Sequence, residues 1–135
     1  LLGYLAESVD FLWEYANQLG IAERITLVIA SDFGRTPLYN SENGKDHWPI
    51  GSMVVMEQGA GWGNRVVGLT DGGHNALRIN PRTLQEDSNG ILIFPEHVHQ
   101  ALRLHLGLAG YSARQGFTFN NVENLDLFNP SLRTV

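Results

Sequence analysis

Four ionisable side chains lie close together in the stretch ASDFGRTPLYNSENGKDHWP, residues 30–49: Asp32, Arg35, Asp46 and His47. Carboxylates and imidazoles are ligands of Zn²⁺ and other divalent cations. A guanidinium binds phosphate, sulfate or carboxylate through paired N–H donors. The stretch follows directly on an apolar run and is rich in Gly, Pro and Asn. These residue types predict a polar site in a loop that follows a buried strand.

Each of these side chains also has a purely structural interpretation, and the sequence leaves both open. Asp32 could cap a turn through its own carboxylate, as Asp commonly does. Arg35 could form an ion pair with Asp32 or Asp46. His47 could be a structural histidine beside a partly buried Trp48. Two potential ligands at loop distance are also fewer than the three or four that a metal needs.

The remaining histidines and glycines carry weaker signals. His74 lies in the polar stretch TDGGHN, and this loop could approach the site. His97 and His99 are two positions apart on a predicted helix, so their side chains point away from each other. The stretch GAGWG lacks the Lys-Ser/Thr of a phosphate-binding loop, and it therefore predicts a turn.

The elements that position the site follow from the spacing of apolar residues. Residues 2–19 carry apolar side chains at spacings of three and four and end at Gly20, which predicts an amphipathic helix with a C′ glycine. Residues 25–30 form a short β-branched run without alternation, typical of a strand covered on both faces in a parallel sheet. Such a helix, strand and polar loop make half of an α/β unit, in which ligands collect beyond the carboxyl ends of strands.

The second half of the chain predicts further elements. Strands are expected at 52–57 and 65–70, with short extended pieces at 76–79 and 91–93. Pro95 fits the first turn of a helix that Gly107 ends.

Length and composition bound the class of protein. The chain has 135 residues, 43% hydrophobic and 17% charged, which fits one globular domain. A net charge of -5 without a Lys/Arg cluster argues against a nucleic-acid partner. The absence of cysteine excludes disulfides and thiolate metal sites, and the longest apolar run is too short for a transmembrane segment.

Two paired motifs, SDFGRTP (31–37) and GKDHWP (44–49), resemble a known pattern. They are similar to a bacterial family of unknown function within the alkaline phosphatase and sulfatase superfamily, whose members typically read Ser-Glu-Phe-Gly-Arg-Thr-Pro and Gly-Arg-Asp-His-Trp. The stretches GLTDGG and LHLGL agree with the same family, and the resemblance spans residues 1 to about 110.

The resemblance implies a fold. We expect a three-layer α/β/α sandwich with a mostly parallel sheet, alkaline-phosphatase-like, present here as a C-terminal fragment. Residues 1–116 would form the C-terminal part of that α/β domain, and residues 117–135 a mostly irregular tail. The chain begins at Leu1 inside a predicted helix, so we expect it to be a piece of a longer protein.

The resemblance also implies a metal site. Asp32 matches the superfamily's strand-end Asp and His47 its later His. Asp46, next to His47, could orient the imidazole or be a further metal ligand itself. Phe33 occupies the place of the second superfamily ligand, which is therefore missing. The expected cofactor is a divalent metal, zinc first and otherwise magnesium, manganese or calcium.

The resemblance assigns the remaining roles. Arg35 would be catalytic, because a guanidinium stabilises the equatorial oxygens of a transferring phosphoryl or sulfuryl group. Arg35, Thr36 and His74 would bind the substrate, a small anionic ester or a glycan. The nucleophile and the first metal-binding Asp would lie upstream, so this chain alone is expected to be inactive.

The predicted function is metal-dependent hydrolysis of phosphate or sulfate esters in the full-length parent. The alternative is a non-catalytic envelope protein that uses the same fold to bind a partner or glycan. The family often carries a twin-arginine export signal, which predicts the periplasm or cell envelope. An exposed sheet edge would favour a homo-oligomer.

Overall fold

The computed structural model describes residues 2–119 and 121–132. Its elements are α1 (Leu2–Gln18), a 3₁₀ turn (Ala22–Arg24), β1 (Thr26–Ile29), β2 (Gly34–Arg35), β3 (His47–Trp48), β4 (Val54–Glu57), α2 (Pro95–His105) and α3 (Ala109–Arg114). The predicted first helix, the strand after it and the helix from Pro95 are confirmed. Gly20 and Gly107 follow α1 and α2 in the left-handed conformation, at φ 67° and 68°, as predicted for C′ glycines.

The predicted three-layer sandwich with a mostly parallel sheet is wrong. Within residues 2–119 and 121–132, the strands form two separate two-stranded sheets, β1 with β4 and β2 with β3, both antiparallel. A parallel partner needs a crossover that carries the chain back along the strand, usually a helix. The connection 30–53 contains no helix, and the chain enters β4 beside the end of β1, where Ile29 pairs with Val54.

The unbroken apolar run of β1 does not mean burial on both faces. Val28 is 38% exposed, whereas Leu27 and Ile29 are half-buried. The strand predicted at 65–70 is also absent: Thr70 forms only an isolated bridge with Ala76. Of its apolar residues, Val67 packs against the core, whereas Val66 and Leu69 are exposed.

The hydrophobic core is built mainly from loops of the second half of the chain. Ile79 is fully buried, and Leu84 and Leu125 are nearly so. The partly buried residues around them are Val67, Ile91, Ile93, Leu127 and Leu132. Ile79 exchanges two backbone hydrogen bonds with Ile91, at 2.9 and 2.8 Å, which fixes the centre of this core.

The segment 121–132 packs against this core through an arginine. The Arg65 guanidinium donates hydrogen bonds to the carbonyl oxygens of Leu127, Asn129 and Leu132. Its partial burial lowers the pKa of Arg65 from the usual value. Three carbonyls on one planar fork hold the segment in place, a geometry that suits guanidinium better than ammonium.

A second polar contact joins the β1–β4 sheet to α2. Nε2 of His105 lies 2.6 Å from Oε2 of Glu57, and the Thr26 hydroxyl donates to the same oxygen at 3.2 Å. The imidazole stacks on Phe128 with 4.3 Å between ring centroids and meets Trp62 edge-on. His105 therefore has a structural role at the helix end.

Gly90 allows the core loops to meet, and replacing it with Ala should destabilise the protein. A Cβ at this position would overlap the carbonyl group of Ile79. Because backbone cannot move aside cheaply, we expect Gly90→Ala to lower the free energy of unfolding by about 1–3 kcal/mol. Urea denaturation measures this change.

The matched control is Gly3→Ala, since a Cβ there meets nothing within 4 Å. Its effect should stay within about 0.5 kcal/mol of zero or be stabilising. Equal destabilisation by both variants would show that the close approach at Gly90 does not matter.

Candidate anion-binding site

The polar loop after β1 folds back on itself as a short ribbon. Arg35 on β2 lies opposite His47 on β3, and Gly34 lies opposite Trp48. The Thr36 amide donates to the Asp46 carbonyl at 3.0 Å, which extends the pairing by one residue. Opposite residues of an antiparallel pair project to the same face. Arg35 and His47 therefore share one face of the ribbon, and Trp48 belongs to the other.

An asparagine closes the turn of the ribbon. Oδ1 of Asn40 accepts hydrogen bonds from the amides of Glu42 and Gly44, at 3.1 and 2.9 Å. Its Nδ2 donates to Oδ1 of Asp46 at 2.8 Å. The Asp46 carboxylate thus stabilises the turn, a role that the sequence analysis did not consider.

Phe33 organises the face of the ribbon that carries His47. The imidazole of His47 lies 4.0 Å from the Phe33 ring, centroid to centroid, and the Arg35 guanidinium carbon lies 4.9 Å from the same centroid. A cation over an aromatic face is an attractive contact. The Phe33 ring therefore contacts both polar side chains.

The loop 71–75 lies next to the ribbon. Oδ1 of Asp71 accepts hydrogen bonds from the amides of Gly73 and Asn75, both at 2.8 Å. His74 has a φ of 61°, which few residues other than Gly adopt. The indole Nε1 of Trp48 donates to the His74 carbonyl at 3.3 Å, so the loop is attached to β3.

These hydrogen bonds lower the pKa of the Asp71 carboxyl. The largest contribution comes from the Asn75 amide, followed by the Asn75 side chain, and the charge of His74 acts in the same direction. Hydrogen bonds to the ionised form favour that form. The carboxylate is therefore the state that holds the loop together.

A cleft of about 370 Å³ lies between the ribbon and this loop. It is lined by Arg35, Thr36, Pro37, Lys45, Trp48, Ile50, Thr70 and His74. None of these lining residues is Asp or Glu. The cleft therefore combines two cations and an imidazole with two hydroxyls, which is suitable chemistry for a small anion.

Each of the two cations of the cleft donates one hydrogen bond to a backbone carbonyl. Nη1 of Arg35 donates to the Lys45 carbonyl at 2.9 Å, and Nζ of Lys45 donates to the Pro37 carbonyl at 3.3 Å. A guanidinium has five N–H donors and an ammonium three. One hydrogen bond each within the described chain leaves donors for a bound oxyanion.

The structure separates the two sets of predicted site residues. Arg35, Thr36 and His74, predicted to bind substrate, all line the cleft. The predicted metal ligands do not line it: Asp32, Asp46 and His47. Across residues 2–119 and 121–132, no three Asp, Glu, His or Cys side chains are grouped so as to hold a metal ion. The described residues thus do not by themselves make a complete metal site.

Sequence reasoning missed Asp71 as the centre of a loop. It also missed five lining residues of the cleft: Pro37, Lys45, Trp48, Ile50 and Thr70. Lys45 stands inside the GKDHWP motif, so its proximity to Arg35 could have been inferred from an antiparallel ribbon. Thr70 is the first residue of TDGGHN, the loop predicted to approach the site, but nothing in the sequence marked it as a lining residue. No described helix is long and apolar enough to cross a membrane.

Comparison with known proteins identifies a family. A family described as protein of unknown function (DUF1501) matches residues 4–103, more than half of the chain. The chain therefore belongs to this family. No curated protein and no solved structure matches it significantly. The predicted placement in the alkaline phosphatase and sulfatase superfamily is corrected accordingly: the match is to a family without an assigned function, and nothing in the comparisons supports that superfamily.

The lowered pKa of Asp71 predicts a pH dependence of the loop. The folded-state pKa lies below the usual 3.8, so the stabilisation is full above that value and is lost as the pH falls through the lowered pKa. We expect the amide resonances of Gly73 and Asn75 to shift together in an NMR titration, with a midpoint below 3.8.

Asp71→Asn provides the control, because its amide does not titrate. The same resonances should then lose this transition. A midpoint at or above the usual value in the unsubstituted protein would contradict the hydrogen-bonded carboxylate.

Proposed function

We propose that this member of the DUF1501 family binds the phosphate or sulfate group of a small anionic ester in the cleft between the ribbon and the loop 71–75. The observation that carries the proposal is the composition of the cleft wall. Its ionisable lining residues are Arg35, Lys45 and His74, and no carboxylate lines it. A concave surface with charge of one sign concentrates ligands of the opposite sign.

Arg35 is the main contact in this proposal. A planar guanidinium can donate two parallel hydrogen bonds to a tetrahedral oxyanion, which gives geometric selectivity as well as attraction. Lys45 adds a point charge beside it, and the hydroxyl of Thr70 can donate to a further oxygen. The Thr36 hydroxyl already donates to the Leu38 carbonyl at 2.9 Å. The spread of donors around the cleft matches an anion with several oxygens.

The expected affinity is modest. Arg35 is exposed and Lys45 is half-buried, so water and salt screen their charges. We expect a dissociation constant between about 0.1 and 1 mM, or about 4–5.5 kcal/mol of binding free energy. An ester should bind through its terminal group, with its organic part towards Trp48, Pro37 and Ile50.

Hydrolysis of the bound ester stays a proposal. Arg35, predicted as catalytic, would stabilise the charge that builds on the equatorial oxygens. The predicted ligands Asp32, Asp46 and His47 lie outside the cleft wall, so no step is derived through a metal. A screen of phosphate and sulfate esters tests for turnover.

A non-catalytic role is the second candidate, and Trp48 favours it. Its indole is half-buried in the cleft and its N–H is already bonded to the His74 carbonyl. An aromatic surface held in place provides apolar contact area for the ring of a glycan. Location in the periplasm or cell envelope, and self-association through a sheet edge, likewise stay predictions.

Arg35→Gln and Lys45→Gln should each weaken binding of inorganic phosphate or sulfate. We expect about a three- to tenfold higher dissociation constant for each variant, because an exposed charge-assisted hydrogen bond contributes about 1 kcal/mol. Isothermal titration calorimetry at low ionic strength measures it.

Arg82→Gln is the matched control: it removes the same charge from an exposed arginine outside the cleft wall. The proposal fails if the unsubstituted protein binds neither anion at millimolar concentration. It also fails if Arg82→Gln weakens binding as much as Arg35→Gln.

The predicted divalent metal has a separate test. A ligand that binds only the folded state stabilises it by about 2.7 kcal/mol at a concentration of 100 times its dissociation constant. If Asp32 and His47 bind zinc, the melting temperature should rise with added Zn²⁺, and His47→Gln should abolish the rise. An unchanged melting temperature across zinc, magnesium, manganese and calcium would remove the metal prediction.

A further inference from the structure

We propose that Asp71 is a positioning residue of the cleft: it holds His74 and, through it, Trp48 in the arrangement that receives the anion. This inference rests on the proposed function of the cleft. Asp71 does not itself line the cleft, and it would not contact the ligand. It acts through hydrogen bonds to its own loop.

The first step is the geometry of the loop. Both backbone donors to Asp71, the amides of Gly73 and Asn75, reach one oxygen, Oδ1, at 2.8 Å. The Asn75 side chain adds a contact to Oδ2 at 3.1 Å. Asp71 and Asn75 also pair through the backbone at 2.9 Å, so the carboxylate lies at the centre of a closed loop.

The second step is the conformation that this loop imposes on His74. A residue other than Gly keeps a positive φ only where the surrounding contacts stabilise that conformation. The His74 amide donates to the Asp71 carbonyl at 3.0 Å, and the His74 carbonyl accepts from Trp48. The Asp71 carboxylate thus holds both chain neighbours of His74, Gly73 and Asn75, while the His74 carbonyl is bonded to Trp48 on β3.

The third step is that position and charge act in opposite directions. A carboxylate near an anion site repels the ligand, so removing it should tighten binding if Asp71 is only a surface charge. Removing it should weaken binding if the carboxylate holds His74 and Trp48 in place. The sign of the change in affinity therefore separates the two roles.

The experiment compares phosphate affinity in Asp71→Ala with that of the unsubstituted protein by calorimetry. We expect the dissociation constant for phosphate to be about tenfold higher in Asp71→Ala. Asp71→Asn should keep most of the affinity, since its amide oxygen can still accept both backbone hydrogen bonds. An unchanged or lower dissociation constant in Asp71→Ala overturns the proposal.

Asp87→Ala is the matched control. Asp87 accepts a backbone hydrogen bond from Asn89 at 2.9 Å in a similar turn, and it does not line the cleft. Its phosphate affinity should stay within about twofold of the unsubstituted value. Equal weakening by Asp87→Ala and Asp71→Ala would overturn the positioning role.

Two further measurements test the proposal if Asp71→Ala does not fold: the phosphate affinity of Asn75→Ala and the indole resonance of Trp48. Asn75→Ala leaves the carboxylate charge in place but removes its side-chain contacts, so affinity should fall by about threefold. The indole N–H resonance of Trp48, identified with Trp48→Phe, should shift in Asn75→Ala and stay in place in Asp87→Ala. An indole resonance that does not move overturns the inference by itself, whereas absence of phosphate binding by the unsubstituted protein overturns the proposed function.

Discussion

The cleft depends on a close backbone approach at Gly34. A Cβ at this position would overlap the carbonyl oxygen of Ile50, so no other residue fits without moving the chain after β3. The close approach allows β2 to pair with β3, with Gly34 opposite Trp48. This pairing determines the positions of Arg35 and Lys45. The same pairing brings Trp48 within reach of the His74 carbonyl. The proposed anion binding thus depends on a two-residue ribbon, whose pairing is supplemented by side-chain hydrogen bonds.

The polar residues of the ribbon divide into two roles that the sequence cannot distinguish. Asp46 is bonded to Asn40 and closes a turn, and His47 packs on Phe33. Arg35 and Lys45 each donate one hydrogen bond to a backbone carbonyl, and both line the cleft. The ribbon therefore uses its acid for structure, and its two cations are the groups that we propose for a ligand.

Local signals were enough to predict α1 and α2, because apolar spacing and a terminal glycine act within one helix. They also located β1, but not its partner, since pairing depends on how residues 30–53 return. The parallel sandwich was inferred from an apolar run and a family resemblance. Neither signal determines the direction of the strand that pairs with β1. Arg35, Thr36 and His74 were identified by motif and loop chemistry, whereas Thr70, in the same loop as His74, reaches the cleft through the packing of that loop, which no local signal determines.

The most direct test of an anion-binding cleft is an NMR titration of the unsubstituted protein with inorganic phosphate. We expect saturable shifts of the Trp48 indole N–H and of the amides of Gly34, Thr70 and His74, while the amides of α1 stay in place. Shifts spread over α1, or linear shifts without saturation, would contradict the account.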